Sequence, residues 1–236
     1  MSVYVMSDIH GEYQKFMEVL EKINLSDSDT LYVLGDILDR GPHPIQVMQK
    51  LISMENAVCL VGNHELMALD CLEFLQKEIT NISIEELDKD MLEKLVLWLH
   101  NEAKTTIDGF RKLDKHKRRD IIEAIEDFSV YEEVNVNGSE FLLLHGGMGD
   151  FYHGKTIEDC TLHDVVWSRP DYSVKYFDDR YLVTGHTPTQ YIEENPNPGY
   201  IYRANNHIAI DCGAHLPGGR LAALCLDTGE EFYSEN

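Results

Sequence analysis

The chain has 236 residues, and 42 acidic against 20 basic side chains give it a formal charge of −22. This charge excludes non-specific binding to nucleic acid polymers or to anionic membranes, because both require a positive protein surface. With 43% hydrophobic and 26% charged residues, the composition is that of a globular protein rather than of a disordered chain.

The cysteines and the apolar segments indicate in which cellular compartment the protein is expected. There are five cysteines and no C-x-x-C pair, so the sequence predicts neither a disulfide framework nor a thiolate zinc site. The chain reaches Asp8 before any apolar segment of signal-peptide length, and no later stretch has about 18 consecutive apolar residues. We therefore expect a cytoplasmic protein.

The first third of the chain alternates two hydrophobic periods. Strands are expected at 3–6, 30–34 and 57–61, and amphipathic helices at 12–23 and 45–52. This β-α-β-α-β order is typical of an α/β protein, in which helices pack on a sheet.

The middle of the chain is rich in helix formers, and strand patterns return after it. We expect a helical insert of two or three helices at about 66–129 within a single domain covering 1–236. Asn137-Gly138 is the two-residue signature of a β-hairpin between strands at 130–136 and 140–144. The remaining strands are expected at 181–184, 200–202, 207–211 and 221–226.

Five short motifs follow the ends of predicted strands. They are D-I-H-G at 8–11, G-D-I-L-D-R-G at 35–41, G-N-H-E at 62–65, H-G-G at 145–147 and G-H-T-P at 185–188. In open α/β sheets the carboxyl ends of the strands line one crevice, so these motifs should converge. The side chains brought together would be Asp8, His10, Asp36, Asn63, His145 and His186.

This mixture of carboxylate, amide and imidazole groups suits manganese, iron(II) or zinc. It is also sufficient for two ions that share one bridging carboxylate. Each residue alone has a simpler interpretation, such as a helix cap for Asp36 or a structural histidine for His145 and His186. Because five motifs each follow a predicted strand, a metal site explains them better than coincidence does.

Together these motifs resemble those of the calcineurin-like metallophosphoesterases. Within them the chain is most similar to the phosphoprotein phosphatase family, in particular to the compact bacterial and phage-lambda-type Ser/Thr phosphatases. V-V-W-S-R at 165–169 is similar to the family's arginine-bearing segment, and I-D-C-G-A at 210–214 to its I-D-T-G-A strand. The chain departs from the family at Ser7, where glycine is usual, and in an insert that looks longer than that of the phage enzyme. The resemblance implies an α/β fold, a four-layer α/β/β/α sandwich of two mixed sheets.

The resemblance also implies a site for two divalent ions, expected to be Mn²⁺, with Fe²⁺ or Zn²⁺ as alternatives. A hydroxide bridging the ions would attack phosphorus directly, without a covalent phosphoenzyme. The implied ligands are Asp8, His10 and Asp36 for one ion, and Asp36, Asn63, His145 and His186 for the other.

Four further residues are assigned by the same resemblance. His64 would be the general acid that protonates the leaving oxygen, and Asp39 would orient it. Arg40 and Arg169 would bind the phosphoryl oxygens. The simpler alternatives are a surface salt bridge between Asp39 and Arg40 and a solvated loop position for Arg169. His215 matches no motif and is interpreted as structural.

Three functions remain open. A protein Ser/Thr phosphatase is favoured by Asp39 and by Glu65. Dinucleoside tetraphosphatases tend to lack an acidic residue at the position of Asp39, and they tend to have N-H-D where this chain has N-H-E. A symmetrical dinucleoside tetraphosphatase or other nucleotide phosphoesterase is the alternative. A non-catalytic phosphoprotein-binding scaffold is disfavoured, because no ligand or general acid is missing. The expected partner is therefore a phosphorylated protein or a small phosphoester.

Two features of the insert each have two interpretations. The basic cluster at 111–119 is either a docking surface for an acidic partner or, more commonly for helices, a solvated face. Trp98 and its apolar neighbours are interpreted as the core of the insert rather than as a stacking platform.

Overall fold

A computed structural model describes residues 1–76 and 88–235, and this part of the chain forms two mixed sheets with helices. The elements in chain order are β1 (Val3–Met6), α1 (Tyr13–Ile23), β2 (Thr30–Val33), α2 (Pro44–Ile52), β3 (Ala57–Cys59), α3 (Asn63–Gln76), α4 (Lys89–His100), α5 (Lys104–Arg111), α6 (Lys115–Glu126), β4 (Tyr131–Val136), β5 (Ser139–Leu144), α7 (Leu162–Trp167), β6 (Arg180–Thr184), β7 (Tyr202–Ala204), β8 (His207–Ala209), β9 (Ala222–Cys225) and β10 (Glu231–Tyr233). Within the same ranges, no helix combines the length and the apolar character needed to cross a membrane.

The first sheet has the strand order β10-β9-β1-β2-β3. Its strands β1, β2 and β3 are parallel, with Val5 opposite Tyr32 and Tyr32 opposite Val58. Parallel neighbours need a long crossover connection, which α1 and α2 supply. The strands β9 and β10 complete the sheet in antiparallel orientation. This arrangement places the carboxyl ends of β1, β2 and β3 side by side.

The second sheet has the order β4-β5-β6-β8-β7, in which β5, β6 and β8 are parallel. The hairpin between β4 and β5 turns at Asn137 and Gly138, whose φ angles of 53° and 82° are both positive. Two successive positive φ angles are what a type I′ turn requires, so the Asn-Gly signature predicted this hairpin correctly.

The two sheets pack face to face, and the last four residues of β5 are all apolar and buried. Phe141 and Leu143 belong to the core between the sheets, whereas Leu142 and Leu144 belong to a second core on the outer face. Both faces of the strand are therefore buried. The outer core is covered by α7 and by neighbouring loops, through residues such as Val165. The predicted four-layer α/β/β/α sandwich is confirmed, with a short α7 in its last layer.

The helices between β3 and β4 differ from the expected two or three. The described part of this stretch contains α3, α4, α5 and α6, and residues 77–87 of the predicted insert lie outside the described residues. The additional helix arises because α3 begins at Asn63, so the G-N-H-E motif is itself a helix start. Trp98, Phe110 and Ile121 are buried in one core with the α1 and α2 side of the first sheet.

Two short elements were not predicted from the sequence. The α7 helix begins with a capping box in which Thr161 and Asp164 satisfy each other's backbone N–H groups. The strand β10 pairs with β9 at the edge of the first sheet. Both have too few residues to show a hydrophobic period, which explains why the pattern missed them.

Candidate metal centre

The five motifs follow the carboxyl ends of β1, β2, β3, β5 and β6. Backbone hydrogen bonds join them to each other: the Asp8 N–H donates to the Gly35 carbonyl at 3.1 Å, and the Gly185 N–H donates to the His145 carbonyl at 2.9 Å. Five of the predicted ligands are at most 3% exposed, and His186 is partly buried; the five are Asp8, His10, Asp36, Asn63 and His145.

Several predicted site residues have a left-handed backbone conformation, which is uncommon for residues other than glycine. The φ angles of Asp8, His10, Asp36 and His186 are 54°, 44°, 51° and 63°. Such conformations persist where surrounding contacts hold them, and they cluster at functional sites.

The first group of donor atoms surrounds one oxygen of Asp36. The Nε2 atom of His10 lies 3.5 Å from Asp36 Oδ2 and 3.9 Å from Asp8 Oδ1. The Nδ1 atom of His10 lies 2.9 Å from the Leu38 carbonyl, to which it can donate. That bond selects the tautomer in which the Nε2 lone pair faces the carboxylates, as in histidines that bind metals.

The second group surrounds the other oxygen of Asp36. The Nε2 atom of His145 lies 3.3 Å from Asp36 Oδ1 and 3.1 Å from Asn63 Oδ1. Its Nδ1 atom faces the Leu34 carbonyl at 2.7 Å, so the tautomer is selected in the same way. The rings of His145 and His186 are 5.0 Å apart.

Asp36 belongs to both groups. The donor atoms of His10, Asp36 and His64 lie within 4.8 Å of one another, and so do those of Asp36, His145 and His186. A carboxylate with one oxygen in each group has the position that a bridging ligand needs. The first group contains His64 where the sequence led us to expect Asp8, and the assignment of ligands to each ion stays a prediction.

The electrostatic state of these residues also suits metal ions. Burial is the main reason why the pKa values of His10 and His186 are lowered, that of His186 to about 3. Both imidazoles are therefore neutral. Burial opposes ionisation of Asp36, but the imidazoles led by His145 hold its pKa well below the usual range. Neutral imidazole and ionised carboxylate are the forms that bind divalent metals, so these residues fit a pair of such ions.

His64 forms a buried pair with Asp39, in which Nδ1 lies 2.7 Å from Asp39 Oδ2. Burial lowers the pKa of His64, but the carboxylates of Asp36 and Asp39 outweigh it and raise that pKa above its ordinary value. The Nε2 atom lies 3.9 Å from Asp36 Oδ2, close enough to join the first donor group. The general-acid role of His64 therefore stays a prediction.

The guanidinium of Arg40 lies over the first donor group. Its Nη1 atom is 3.0 Å from the Nε2 atoms of both His10 and His215, and Nη2 is 3.2 Å from Nε2 of His64. Because a guanidinium only donates, a ring nitrogen that bonds to it must present a lone pair, as His10 Nε2 does in its selected tautomer. His215, interpreted from the sequence as structural, is thus placed at the site, with its ring 4.7 Å from that of His10.

Arg169 lies near His186, in the second donor group. It is exposed, and its charge helps to lower the pKa of His186, after the larger effect of burial. The neighbouring Trp167 ring has its centroid 6.5 Å from that of His186. This position is compatible with contact to a substrate, and the predicted role of Arg169 remains a prediction.

Glu65, which in the sequence bears only on the substrate class, lies at the site. Its fully buried carboxylate accepts hydrogen bonds from four backbone N–H groups at 2.8–3.1 Å, those of Asp36, Ile37, Leu38 and Gly62. The spacing of a glutamate three positions after Gly62 resembles half of a capping box and was the available signal. Glu65 therefore connects the bridging carboxylate of Asp36 to the start of α3.

The basic cluster at 111–119 lies where α5 meets α6, and most of its side chains are exposed. Asp114 caps α6 by accepting from two backbone N–H groups, and Arg118 donates to the carbonyls of Phe110 and Arg111. These contacts give the cluster a role in the local structure of the helices.

Comparison with known proteins identifies the family. The model of the calcineurin-like phosphoesterases matches residues 1–216. The symmetrical bis(5'-nucleosyl)-tetraphosphatase of Buchnera aphidicola is 36% identical over 118 residues, which are 48% of this chain and 42% of that relative. The first such relatives are therefore matched over less than half of their own length. The asymmetrical bis(5'-nucleosyl)-tetraphosphatase of Halalkalibacterium halodurans is 24% identical over 95% of this chain and 89% of its own.

Solved structures show the same fold. A protein described as a candidate diadenosine tetraphosphatase superposes with a TM-score of 0.69 and 16% identity, over 100% of this chain and 93% of that one. A Ser/Thr phosphatase of Saccharomyces cerevisiae superposes with a TM-score of 0.56 and 12% identity, over 100% and 80%. The family match and the two donor groups that share Asp36 lead to one conclusion: this chain belongs to the calcineurin-like phosphoesterases, a family that works with two metal ions.

Proposed function

We propose that this protein hydrolyses phosphoanhydride bonds of dinucleoside polyphosphates with two divalent ions. The single observation that carries the hydrolytic assignment is the position of Asp36, with one carboxylate oxygen in each of two donor groups. The substrate assignment is supported by relatives named bis(5'-nucleosyl)-tetraphosphatases, one of which aligns with 95% of this chain.

Two divalent ions, for which we propose Mn²⁺, would acidify a water nucleophile and offset the charge of the phosphoryl group. The proposed ligands are Asp8, His10, Asp36, Asn63, His145 and His186. The chain itself turns the Nε2 atoms of His10 and His145 inward, through Nδ1 contacts to the carbonyls of Leu38 and Leu34.

Arg40 is proposed to bind the phosphoryl oxygens. Its donors now face the Nε2 atoms of His10 and His64, and a metal bound to His10 would take up the first of these atoms. The guanidinium would then have free donors beside the reacting group, in the fork geometry that matches phosphoryl oxygens. Arg169 is proposed to supply a second contact.

A protein Ser/Thr phosphatase is the second candidate, and one observation favours it. The buried pair of His64 and Asp39 would deliver a proton to the leaving oxygen. A seryl or threonyl alkoxide needs that proton far more than a nucleotide phosphate does, because the alkoxide is much more basic. An intact pair would therefore increase the rate of a phosphoprotein phosphatase more than that of a phosphoanhydride hydrolase.

A substrate panel tests the proposal. Protein stripped of metal and reloaded with Mn²⁺ would be assayed on diadenosine tetraphosphate, mononucleotides, p-nitrophenyl phosphate and phosphoseryl and phosphothreonyl peptides. We expect the highest kcat/KM on the dinucleotide, no turnover without metal, and loss of turnover in Asp36→Asn. The exposed Asp27→Asn removes the same charge as a matched control.

Each assay has an outcome against the proposal. A higher kcat/KM on the phosphopeptides would replace the dinucleotide by the second candidate. Turnover that survives exhaustive chelation, or that Asp36→Asn retains, would exclude hydrolysis with two metal ions.

A further inference from the structure

Helices α4 and α5 contact the turn that carries Asp39 and Arg40. The indole Nε1 of Trp98 donates to Asp39 Oδ2 at 2.7 Å, and the Thr106 hydroxyl donates to Asp39 Oδ1 at 2.5 Å. In return, the Asp39 N–H donates to Thr106 Oγ1 at 2.9 Å, and the Arg40 N–H donates to the Glu102 carbonyl at 3.1 Å. Four hydrogen bonds thus join the helical insert to two residues of the site.

The turn is in a conformation that needs such support. Asp39 and Arg40 have φ angles of 69° and 62°, so two successive residues other than glycine are left-handed. This conformation is sterically unfavourable for residues with a Cβ atom, and it persists where neighbouring contacts hold it. Here the backbone N–H groups of both residues are bonded to the insert.

The Asp39 carboxylate is completely buried, as are Trp98 and Thr106. Among the described residues its side-chain donors are the Trp98 indole, the Thr106 hydroxyl and His64 Nδ1. The Trp98 and His64 donors share the same oxygen, Oδ2. The direction of the Trp98 N–H bond therefore defines where Oδ2 lies, and Oδ2 in turn defines the orientation of the His64 ring.

We propose that Trp98 and Thr106 are positioning residues, and that α4 and α5 hold Asp39 and Arg40 in the alignment needed for reaction. The inference rests on the proposed hydrolysis with two metal ions and adds His64 as its proton donor, a role that either candidate substrate allows. It assigns the insert a part in catalysis that its distance in sequence from the motifs does not suggest.

A purely structural role for these residues makes a different prediction. Trp98 is among the largest fully buried side chains, so its loss would destabilise the core in any case. A core defect lowers the amount of active protein and reduces turnover of every substrate by the same factor. Misalignment of a proton donor instead slows substrates with basic leaving groups more than those with good ones.

The experiment compares Trp98→Phe, which keeps an aromatic ring but lacks the N–H, with Thr106→Val, which lacks the hydroxyl. Thr106→Ser is the conservative variant that keeps the hydroxyl. Phe110→Leu, at a buried position of α5, is the control for a core defect without a polar contact to the turn. Thermal denaturation confirms that each variant is folded, and the assays are run at saturating Mn²⁺.

The first readout is kcat across aryl and alkyl phosphates. General acids contribute roughly 10²- to 10⁴-fold, so Trp98→Phe and Thr106→Val should lose at least about tenfold on the alkyl phosphate and less than about threefold on p-nitrophenyl phosphate. Thr106→Ser should stay near wild type, and Phe110→Leu should lose equally on both. Equal losses on both substrates in Trp98→Phe would overturn the inference.

The second readout does not require turnover. In protein loaded with diamagnetic Zn²⁺, the proton between His64 Nδ1 and Asp39 should give a downfield NMR resonance, which its absence in His64→Asn assigns. The exchange of this proton with solvent should be faster in Trp98→Phe. If the wild type hydrolyses no phosphoester, the proposed function fails and this resonance alone decides the positioning role. An unchanged exchange rate in Trp98→Phe would overturn that role.

Discussion

Replacing Glu65 by glutamine should destabilise the fold and loosen the metal centre. The carboxylate oxygens of Glu65 each accept two backbone N–H groups, at distances of 2.8–3.1 Å; the donors are Asp36 and Gly62 on one oxygen and Ile37 and Leu38 on the other. Glutamine has the same size, but one of its terminal atoms is an NH₂ group that donates and cannot accept. Either orientation of the amide therefore leaves two buried N–H groups without an acceptor.

The loss of folding free energy follows from the two N–H groups that lose their acceptor. Each unsatisfied buried N–H costs about 1–3 kcal/mol, which gives about 2–6 kcal/mol for the pair. Part of this is offset, since burial and then the Asp36 charge raise the pKa of Glu65 to about 7, and a neutral side chain relieves that strain. We expect a net loss of about 2–4 kcal/mol, equivalent to a fall in Tm of about 4–16 °C for a chain of this length.

Thermal denaturation of the metal-free protein measures the effect, and Mn²⁺ titration by calorimetry measures the consequence for Asp36. Glu73→Gln, an exposed position on the same helix α3, removes the same charge and serves as the control. A Tm for Glu65→Gln equal to that of Glu73→Gln, together with unchanged Mn²⁺ affinity, would refute the reasoning. Glu65→Asp should also be destabilised, because a carboxylate one methylene shorter cannot reach all four N–H groups.

Two further predictions concern histidines. His64→Asn should retain two Mn²⁺ per chain while losing more turnover on alkyl than on aryl phosphates; a fall to one ion, measured by elemental analysis, would make His64 a ligand. Burial lowers the pKa of His207 to about 3. Below pH ~6.5 the unfolded chain therefore binds a proton that the folded chain does not, and stability falls by up to about 1.4 kcal/mol per pH unit towards pH 3. His207→Phe should flatten this slope by about one proton in urea denaturation between pH 6 and 4. The exposed His116→Phe should not, and identical slopes in the two variants would contradict the assignment.

The sequence determined those features that depend on neighbouring residues. The hairpin at Asn137-Gly138 formed as predicted, because two positive φ angles are a local requirement that Asn and Gly meet. The motifs around Asp8 and Asp36 could be assigned to one edge, because parallel strands bring their carboxyl ends together whatever lies between them. That the predicted donors lie close together could therefore be inferred without knowledge of the remaining contacts.

The tertiary structure alone decided which distant side chains support that site. Trp98 lies 59 positions from Asp39, and Thr106 lies 67 positions from it, yet both donate to its carboxylate. The apolar neighbours of Trp98 indicated only a buried face, which is why Trp98 was interpreted as core. His215 likewise contacts Arg40, and it lies in a loop that has no hydrophobic periodicity from which the contact could be predicted. Hydrophobic periodicity reports which face of an element is buried, but it carries no information about which polar atom lies opposite. That pairing is set by how the helices pack against the turn at Asp39 and Arg40.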